Sequence, residues 1–97
     1  MERTEIVLNA NHQGEVQLFS DDRKAGKMDI SVAEGKLTVY HTEVNPEYEG
    51  KGFAKLLLEK LVSYARENDL KIVPLCPYVH AQFKRHPEEY ADVWFKP

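Results

Sequence analysis

Three groups of residues in this chain have types and spacings that could do chemistry. The first is Gly50-Lys51-Gly52, placed where a strand-like run gives way to a helix-like one. The first turn of a helix presents backbone N–H groups without intrahelical partners, together with a partial positive charge. Two glycines let an anion approach that backbone with no Cβ in the way, which makes the segment a candidate cradle for pyrophosphate. The same glycines also suit a plain flexible loop. Their spacing fits neither a Walker loop, which needs Gly-Lys-Ser/Thr, nor a dinucleotide fingerprint. The second group centres on Cys76, the only cysteine, which lies between Pro74 and Pro77. Pro77 suits the first position of a helix, leaving Cys76 as the N-cap, held extended by the proline after it. A thiol at a helix N-terminus has a lowered pKa; the plainer fate of a lone cysteine is a small buried hydrophobe. His80, one turn further on, could orient or activate that thiol, or simply lie on the surface. The third group is His41 and Glu43, two apart in a strand-like run and so expected on the same face as Leu37 and Val39. Either can take a proton from an amine, and either can equally form a cross-strand pair on a half-exposed sheet. A bulge would move one of them to the other face.

The elements that must position these groups fall into two halves with different hydrophobic periods. From Glu5 to Val44 the period is close to two. Ile6-Val7-Leu8 reads as a first strand, Asn9 to Gly14 as a turn, and Val16, Leu18 and Phe19 as a second strand ended by Ser20-Asp21-Asp22. Met28, Ile30 and Val32 alternate with Asp29 and Ser31, and the run from Leu37 to Val44 follows a tight turn at Ala33-Glu34-Gly35. Such alternation with short connections predicts an antiparallel meander with one wet face. After Asn45-Pro46 and the glycine loop, Ala54, Leu57, Leu58, Leu61, Val62 and Ala65 form one stripe of an amphipathic helix, with Asn68 as a left-handed C-cap. Leu70 to Leu75 reads as a fifth strand, although Pro74 cannot donate to a ladder, so pairing should fail there or shift to an edge. Pro77 to His86 fits a second helix with Val79 and Phe83 four apart, and the tail from Tyr90 to Phe95, with the only Trp, should tuck against the sheet. Phe19, Tyr40, Phe53 and Phe83 read as core and His12 as turn. The order ββββ-α-β-α predicts an α+β fold (a mixed α/β layer): a mostly antiparallel sheet with a central amphipathic helix, as one domain over residues 1–97.

Glu49-Gly50-Lys51-Gly52-Phe53-Ala54 resembles the R/Q-x-x-G-x-G/A coenzyme A-binding segment of the GNAT-type N-acetyltransferase superfamily. The chain is more closely similar to a short single-domain subgroup in which a Gly-x-Gly-x-Ala loop is followed by a Pro-Leu-Cys-Pro-Tyr-Val segment. That segment stands here as Pro74-Leu75-Cys76-Pro77-Tyr78-Val79, and the likeness runs from Tyr40 to His86. The resemblance implies a minimal GNAT-like fold and acetyl-coenzyme A as acyl donor to an amine. It implies pyrophosphate binding by Gly50, Lys51, Gly52, Phe53, Ala54 and Lys55. It further implies a gap between splayed fourth and fifth strands, near Val44 and Leu75, that holds the pantetheine and thioester, with Tyr78 beside it. Cys76 would then accept the acetyl group, protonate the departing coenzyme thiolate or line the pocket, with His41 or Glu43 as base. Lys84, Arg85 and His86 complement a helix dipole, and could also catch the coenzyme's adenine-side phosphate. Glu49 departs from the superfamily, which has Arg or Gln there. A carboxylate repels pyrophosphate, so its side chain should point outward or affinity should fall, with Lys51 and Lys55 offsetting it.

Composition bounds what remains. Ninety-seven residues suffice for one core. One cysteine excludes a disulfide framework or multi-cysteine zinc site, and no His/Asp/Glu set has metal-ligand spacing. No apolar run is long enough to span a membrane, and Met1 to Glu5 lacks the features of a signal peptide, which predicts a cytoplasmic protein. A net charge of −3 argues against a dedicated nucleic-acid binder. The short chain leaves little room for an acceptor pocket, so a non-catalytic acyl-coenzyme A-binding or protein-interaction module on the same scaffold is the competing expectation. The acceptor, a protein amine or a small polyamine-like molecule, is not specified by any motif. A monomer or weak dimer is expected, the latter through a truncated sheet edge.

Overall fold

The computed structural model describes residues 1–96. The alternating half folds as a meander of β1 (Glu2–Leu8), β2 (Gln13–Ser20), β3 (Arg23–Ala33) and β4 (Lys36–Val44), each antiparallel to its neighbours. Two of the connections are two-residue turns in which both residues are left-handed, Asp21-Asp22 (φ 49° and 68°) and Glu34-Gly35 (φ 52° and 77°). That geometry matches the twist of the flanking strands, and Asp and Gly tolerate it best. His12 is a turn residue as expected, with φ 61°. Asn9 Oδ1 accepts the N–H groups of Asn11 and Gln13 at 2.8 and 3.1 Å and so organises the same turn.

The chain then crosses one face of the sheet as α1 (Phe53–Glu67), returns as β5 (Lys71–Pro74) parallel to β4, and continues into α2 (Pro77–Arg85) and α3 (Pro87–Tyr90). The sheet order is β1-β2-β3-β4-β5. The stripe on α1 is buried at Leu57, Leu58, Leu61, Val62 and Ala65, with Phe53 rather than Ala54 completing it. These side chains meet Val16, Leu18, Met28, Ile30, Leu37, Val39 and Ile72 from the sheet. Burying one such side chain is worth about 1.5–3 kcal/mol. The opposite face carries Glu15, Gln17, Phe19, Lys27, Asp29 and Ser31, half-buried and polar but for Phe19.

Some details differ from the sequence reading. β1 begins at Glu2, because strand pairing extends through charged residues that carry no apolar signal. Asn68 is not left-handed (φ −107°); Asp69 is, with φ 54°. The Leu70 N–H bonds the Ala65 carbonyl at 2.8 Å and the Asp69 N–H bonds Arg66 at 3.4 Å, which satisfies the last carbonyls of α1 one residue later than expected. Phe53 and Phe83 are core, but Tyr40 is exposed and Phe19 lies on the polar face beneath the Arg3 guanidinium.

The tail does tuck in. Ile72 donates to the Val93 carbonyl at 2.6 Å and accepts from the Phe95 N–H at 2.9 Å, so residues 93–95 run along the outer edge of β5. Phe83 stacks on Tyr90 (4.7 Å between centroids) and meets Trp94 at 5.6 Å. Arg66 holds this segment from α1 with a two-pronged bond to Asp92, at 2.8 and 3.1 Å, and a third to the Glu89 carbonyl at 2.9 Å. No helix among the described residues is long and apolar enough to cross a membrane.

Candidate active site

The site begins where β4 and β5 part. Their parallel pairing runs from Lys36 opposite Lys71 to Val39 opposite Pro74 and stops there. Pro74 has no N–H to continue the ladder. The next turn closes on itself, with Leu75 N–H bonding Val73 at 3.1 Å, and the Val39 carbonyl accepts the N–H of Cys76 at 2.9 Å. β4 continues alongside β3 from Tyr40 to Val44 with no β5 residue opposite, which leaves about 16 Å of strand edge beside the fork. Asn45 N–H bonds Ala25 on the β3 side at 2.8 Å. Strict alternation back from it therefore turns the backbone groups of Val44 and Thr42 toward the gap.

A bulge sits at the same level. Ile30 pairs with Val39 but Asp29 pairs with His41, so Tyr40 is the extra residue. The doubled position reverses the phase of the rest of β4. His41 and Glu43 therefore do not share the face of Leu37 and Val39. They lie on the polar face opposite Asp29 and Lys27, each 57% exposed, with His41 Nε2 3.6 Å from Glu43 Oε1. Tyr40 shares a 2.7 Å hydrogen bond with Ser31 there. Thr42, which sequence reasoning passed over, takes the inward place: its Oγ1 is 3.1 Å from Cys76 Sγ, in a hydrogen bond that either group can donate. The signal that could have found it was the phase of β4 after a bulge, and four consecutive polar or amphipathic residues hide that phase.

Cys76 is the N-cap of α2, in the extended conformation (φ −68°, ψ 125°) that the following proline favours, and it is 2% exposed. The structure thus brings Cys76 together with Thr42, and puts His41 and Glu43 on the other side of the strand. His80 is exposed and meets Trp94 edge-on, with 6.1 Å between ring centroids. Tyr78 is half-buried beside the core. Burial pushes its phenol above the usual value, and the nearby Cys76 and Glu59 act in the same direction. His86 ends α2, with Lys84 and Arg85 in its last turn.

The far end of the open edge leads into the glycine loop. After Val44 the chain makes a single 3₁₀ turn at Pro46–Tyr48, and Tyr48 stacks on Phe53 at 5.6 Å. Gly50 and Gly52 have φ 82° and 75°, and a Cβ built at either would meet nothing within 4 Å. Backbone conformation, not crowding, requires glycine here, and the space above both is open. Gly52 is the N-cap of α1 and has no side chain to satisfy the first N–H groups. The earliest bond of the helix is Leu56 N–H to the Gly52 carbonyl at 3.3 Å, so the N–H groups of Phe53, Ala54 and Lys55 precede it. Among the described residues the first turn holds no acid, while Lys55 adds a positive charge. Glu49, Lys51 and Lys55 are all exposed. Open glycines and an uncapped, acid-free helix start fit an anionic group of pyrophosphate size.

A bulged β4 that forks from β5 and feeds a glycine loop at the head of a helix is the arrangement that the resemblance to the GNAT-type superfamily implied. The profile of the GCN5-related N-acetyl-transferase family matches residues 15–93, and this chain belongs to that family. Among solved structures it is similar to a GCN5-like, proposed N-acetyltransferase from Staphylococcus aureus, at 25% identity over 96% of this chain and 89% of that one, with a TM-score of 0.67. It shares the fold of the ribosomal-protein-S18-alanine N-acetyltransferase from Escherichia coli, with a TM-score of 0.63 and 19% identity over 68% of this chain. The match spans only 43% of that enzyme's length. A ribosomal-protein-alanine N-acetyltransferase from Brucella melitensis matches at 22% identity and a TM-score of 0.59, over 86% of this chain and 62% of its own. Among curated proteins none matches the sequence significantly.

Proposed function

We propose that this chain transfers an acetyl group from acetyl-coenzyme A to an amine. The observation that carries the reading is the coincidence, on one strand, of the fork at Val39 and Pro74, the Cys76–Thr42 pair inside it, and the open glycine loop at its end. The donor, when bound, supplies an activated acyl thioester. Backbone N–H groups from Gly50 to Ala54 would hold its pyrophosphate, with Lys51 and Lys55 adding charge and Glu49 turned to solvent. The free backbone edge from Tyr40 to Val44 would pair with the amide-bearing pantetheine arm, with Tyr78 beside it.

Two proton movements are needed. An attacking amine must be neutral and must lose a proton, and His41 or Glu43 on the polar face can take it directly or through water. The departing coenzyme sulfur must be protonated, and Cys76, held by the Thr42 hydroxyl, is the group in the fork that can donate. If Cys76 instead takes the acetyl group itself, the same hydroxyl can stabilise the thiolate that attacks. A second reading, a non-catalytic acyl-coenzyme A-binding module, is favoured by one observation. Only Asn9 to His12 connects β1 to β2, so no helix from that connection covers the polar face to wall an acceptor pocket.

A backbone amide titration with acetyl-coenzyme A, followed by intact mass and turnover on a panel of amines, tests the proposal. Shifts at Gly50 to Ala54 and Tyr40 to Val44 with acetylated product support it, and an adduct of one acetyl group on Cys76 identifies a covalent route. Shifts without adduct or product favour the binding module. An absence of shifts would sink both.

A further inference from the structure

We propose that this protein associates with a second copy of itself through the β1 edge, in a single antiparallel register that sets Arg3 of each copy against Glu5 of the other. β5 has its outer edge covered by residues 93–95, and the free run of β4 belongs to the fork. β1 is therefore the one uncommitted sheet edge among the described residues.

The direction of its backbone groups is fixed at both ends. Asp21 N–H bonds the Met1 carbonyl at 3.0 Å, and Asn9 N–H bonds the Gln13 carbonyl at 2.8 Å. Odd-numbered residues thus face β2, and Glu2, Thr4, Ile6 and Leu8 present their N–H and C=O groups outward. A second β1 can hydrogen-bond to this edge only with even residues opposite even ones.

Side-chain charge then selects among the allowed registers. With Thr4 opposite Thr4, Glu2 faces Ile6, and Arg3 faces Glu5 twice by symmetry. Val7 and Met1, 48% and 93% exposed, also come opposite one another. A slide of two residues in one direction sets Glu5 against Glu5, and in the other Arg3 against Arg3. A longer slide either leaves Arg3 outside the paired run or cuts that run to the first few residues. Charges on an edge strand normally deter pairing; here they alternate so that one register converts them into a match. Arg3 and Glu5 are each about half exposed, 51% and 48%. Within one copy Arg3 lies over Phe19 and meets Asp22 at 3.1 Å and Glu5 at 3.9 Å, solvent-facing contacts that the Glu5 of a second copy can share or replace. A depression of about 260 Å³ opens along the same edge, between Thr4 and Leu18 of the sheet and Leu56, Glu59 and Lys60 of α1, and a second strand would border it. One strand pair is a small interface, so the association is weak and shows at high protein concentration.

Sedimentation equilibrium on the wild type, on Arg3→Glu and on Glu5→Arg tests the register. The wild type should rise from the monomer mass toward twice that mass with concentration. Each variant alone, which places like charges opposite one another at two sites, should dimerise about ten-fold more weakly. An equimolar mixture of the two variants should recover the wild-type affinity, because each edge then meets one of opposite sign. Both substitutions lie on exposed side chains, and amide dispersion checks that each variant is folded. In the wild type, hydrogen exchange at the Thr4 and Ile6 amides should slow as concentration rises, a readout that needs no variant. The proposal is overturned by a monomer at every concentration up to about millimolar. It is equally overturned by variants that dimerise like the wild type, by a mixture that fails to recover, or by an unrelated extended peptide that outcompetes the second copy for β1.

Discussion

Gly35, Gly50 and Gly52 form a matched set on which the phosphate-loop assignment can be tested by single substitutions. All three have left-handed φ (77°, 82° and 75°), and at none would a Cβ meet an atom within 4 Å. Replacement by Ala should therefore cost the fold the same at each site, about 1–2 kcal/mol for holding an L-residue in that conformation. In a domain of this size that lowers Tm by about 4–8 °C per kcal/mol. Only two of the three sit where a ligand is proposed. Gly35 is in the β3–β4 turn, at the other end of the nine-residue β4 and about 25–30 Å from the loop. A methyl group at Gly50 or Gly52 would stand between the helix N–H groups and the phosphate oxygens, costing one or two charge-assisted bonds worth about 1.5–3 kcal/mol each. That predicts a loss of about ten-fold, if one weak bond goes, to about 10⁴-fold, if two strong ones go, in affinity for coenzyme A by calorimetry. Gly35→Ala should bind as the wild type does, at temperatures where all the variants are folded. Unchanged affinity in Gly50→Ala and Gly52→Ala would show that these glycines serve only the backbone turn. An equal loss in Gly35→Ala would show that the effect is global destabilisation.

Three further outcomes are expected from other contacts. Thr42→Val keeps the shape but removes the hydroxyl from Cys76; with Cys76→Ala it should lower kcat by about ten- to a hundred-fold while leaving coenzyme affinity near the wild type. The double variant should be no worse than Cys76→Ala alone, and additive losses would mean that the pair does not act as a unit. Arg66→Ala removes three hydrogen bonds to Asp92 and Glu89. It should cost about 1 kcal/mol in urea denaturation, with faster amide exchange confined to residues 93–95. The carboxyl of Glu15 is lowered to about 2, chiefly by its hydrogen bond from Lys24, with Gln17 and the charge of Lys27 adding to it. A folded-state value below the ordinary one stabilises the protein above the ordinary Glu range, and that stability is lost as pH falls toward 2. For a pair this close to solvent it amounts to about 1 kcal/mol or less. Glu15→Gln should therefore narrow the difference between the urea midpoints at neutral pH and near pH 3, and an unchanged difference would refute the assignment.

The parts of the fold legible in the sequence are those where burial repeats. The α1 stripe and the alternation of Val16 and Leu18, or of Met28 and Ile30, give each element a face to hide, and the period names the element. The two-residue turns announce themselves through Asp and Gly. β1 was only half legible, because Glu2-Arg3-Thr4-Glu5 joins the sheet by backbone pairing at an edge, where a strand need not hide a face. The left-handed cap was misplaced by one residue because Asn68 and Asp69 both tolerate that conformation. The choice between them is made by where Leu70 must turn to enter the core.

The bulge was illegible for a deeper reason, and it decides how the candidate site is divided. Tyr40-His41-Thr42-Glu43 contains no glycine and no strongly apolar residue, so alternation along it carries no phase. The phase is set from outside, by Leu37 and Val39 on one side and by Val44 and Asn45 on the other, and the two demand opposite parity. The extra residue must fall between them, and it falls next to the last β5 pairing because there β4 is released from one neighbour. Pro74 and the bulge are thus two halves of one feature: the proline ends the ladder, and the freed strand can then double a residue. The result is a division of labour across β4. Thr42 turns in to the thiol of Cys76, and His41 and Glu43 turn out to the polar face, which the proposed function makes the side of the amine. Deleting Tyr40 tests whether parity is the cause. Without that residue both ends of the strand are satisfied by simple alternation, so Val39 should stay opposite Ile30 and His41 opposite Asp29, with Thr42 still inward. Only the local bend and extra twist of the bulge are lost. The amide spectrum of this variant should therefore change at residues 39–45 and at their partners on β3, and little in α1 or in the β1–β2 pairing. Cross-peaks between Thr42 and Cys76 should persist. Deleting Thr38 instead shortens the strand on the β5 side of the bulge, where no residue is spare, and should shift the β4–β5 pairing or unfold the protein. Equal disruption by the two deletions would refute the assignment of Tyr40 as the surplus residue.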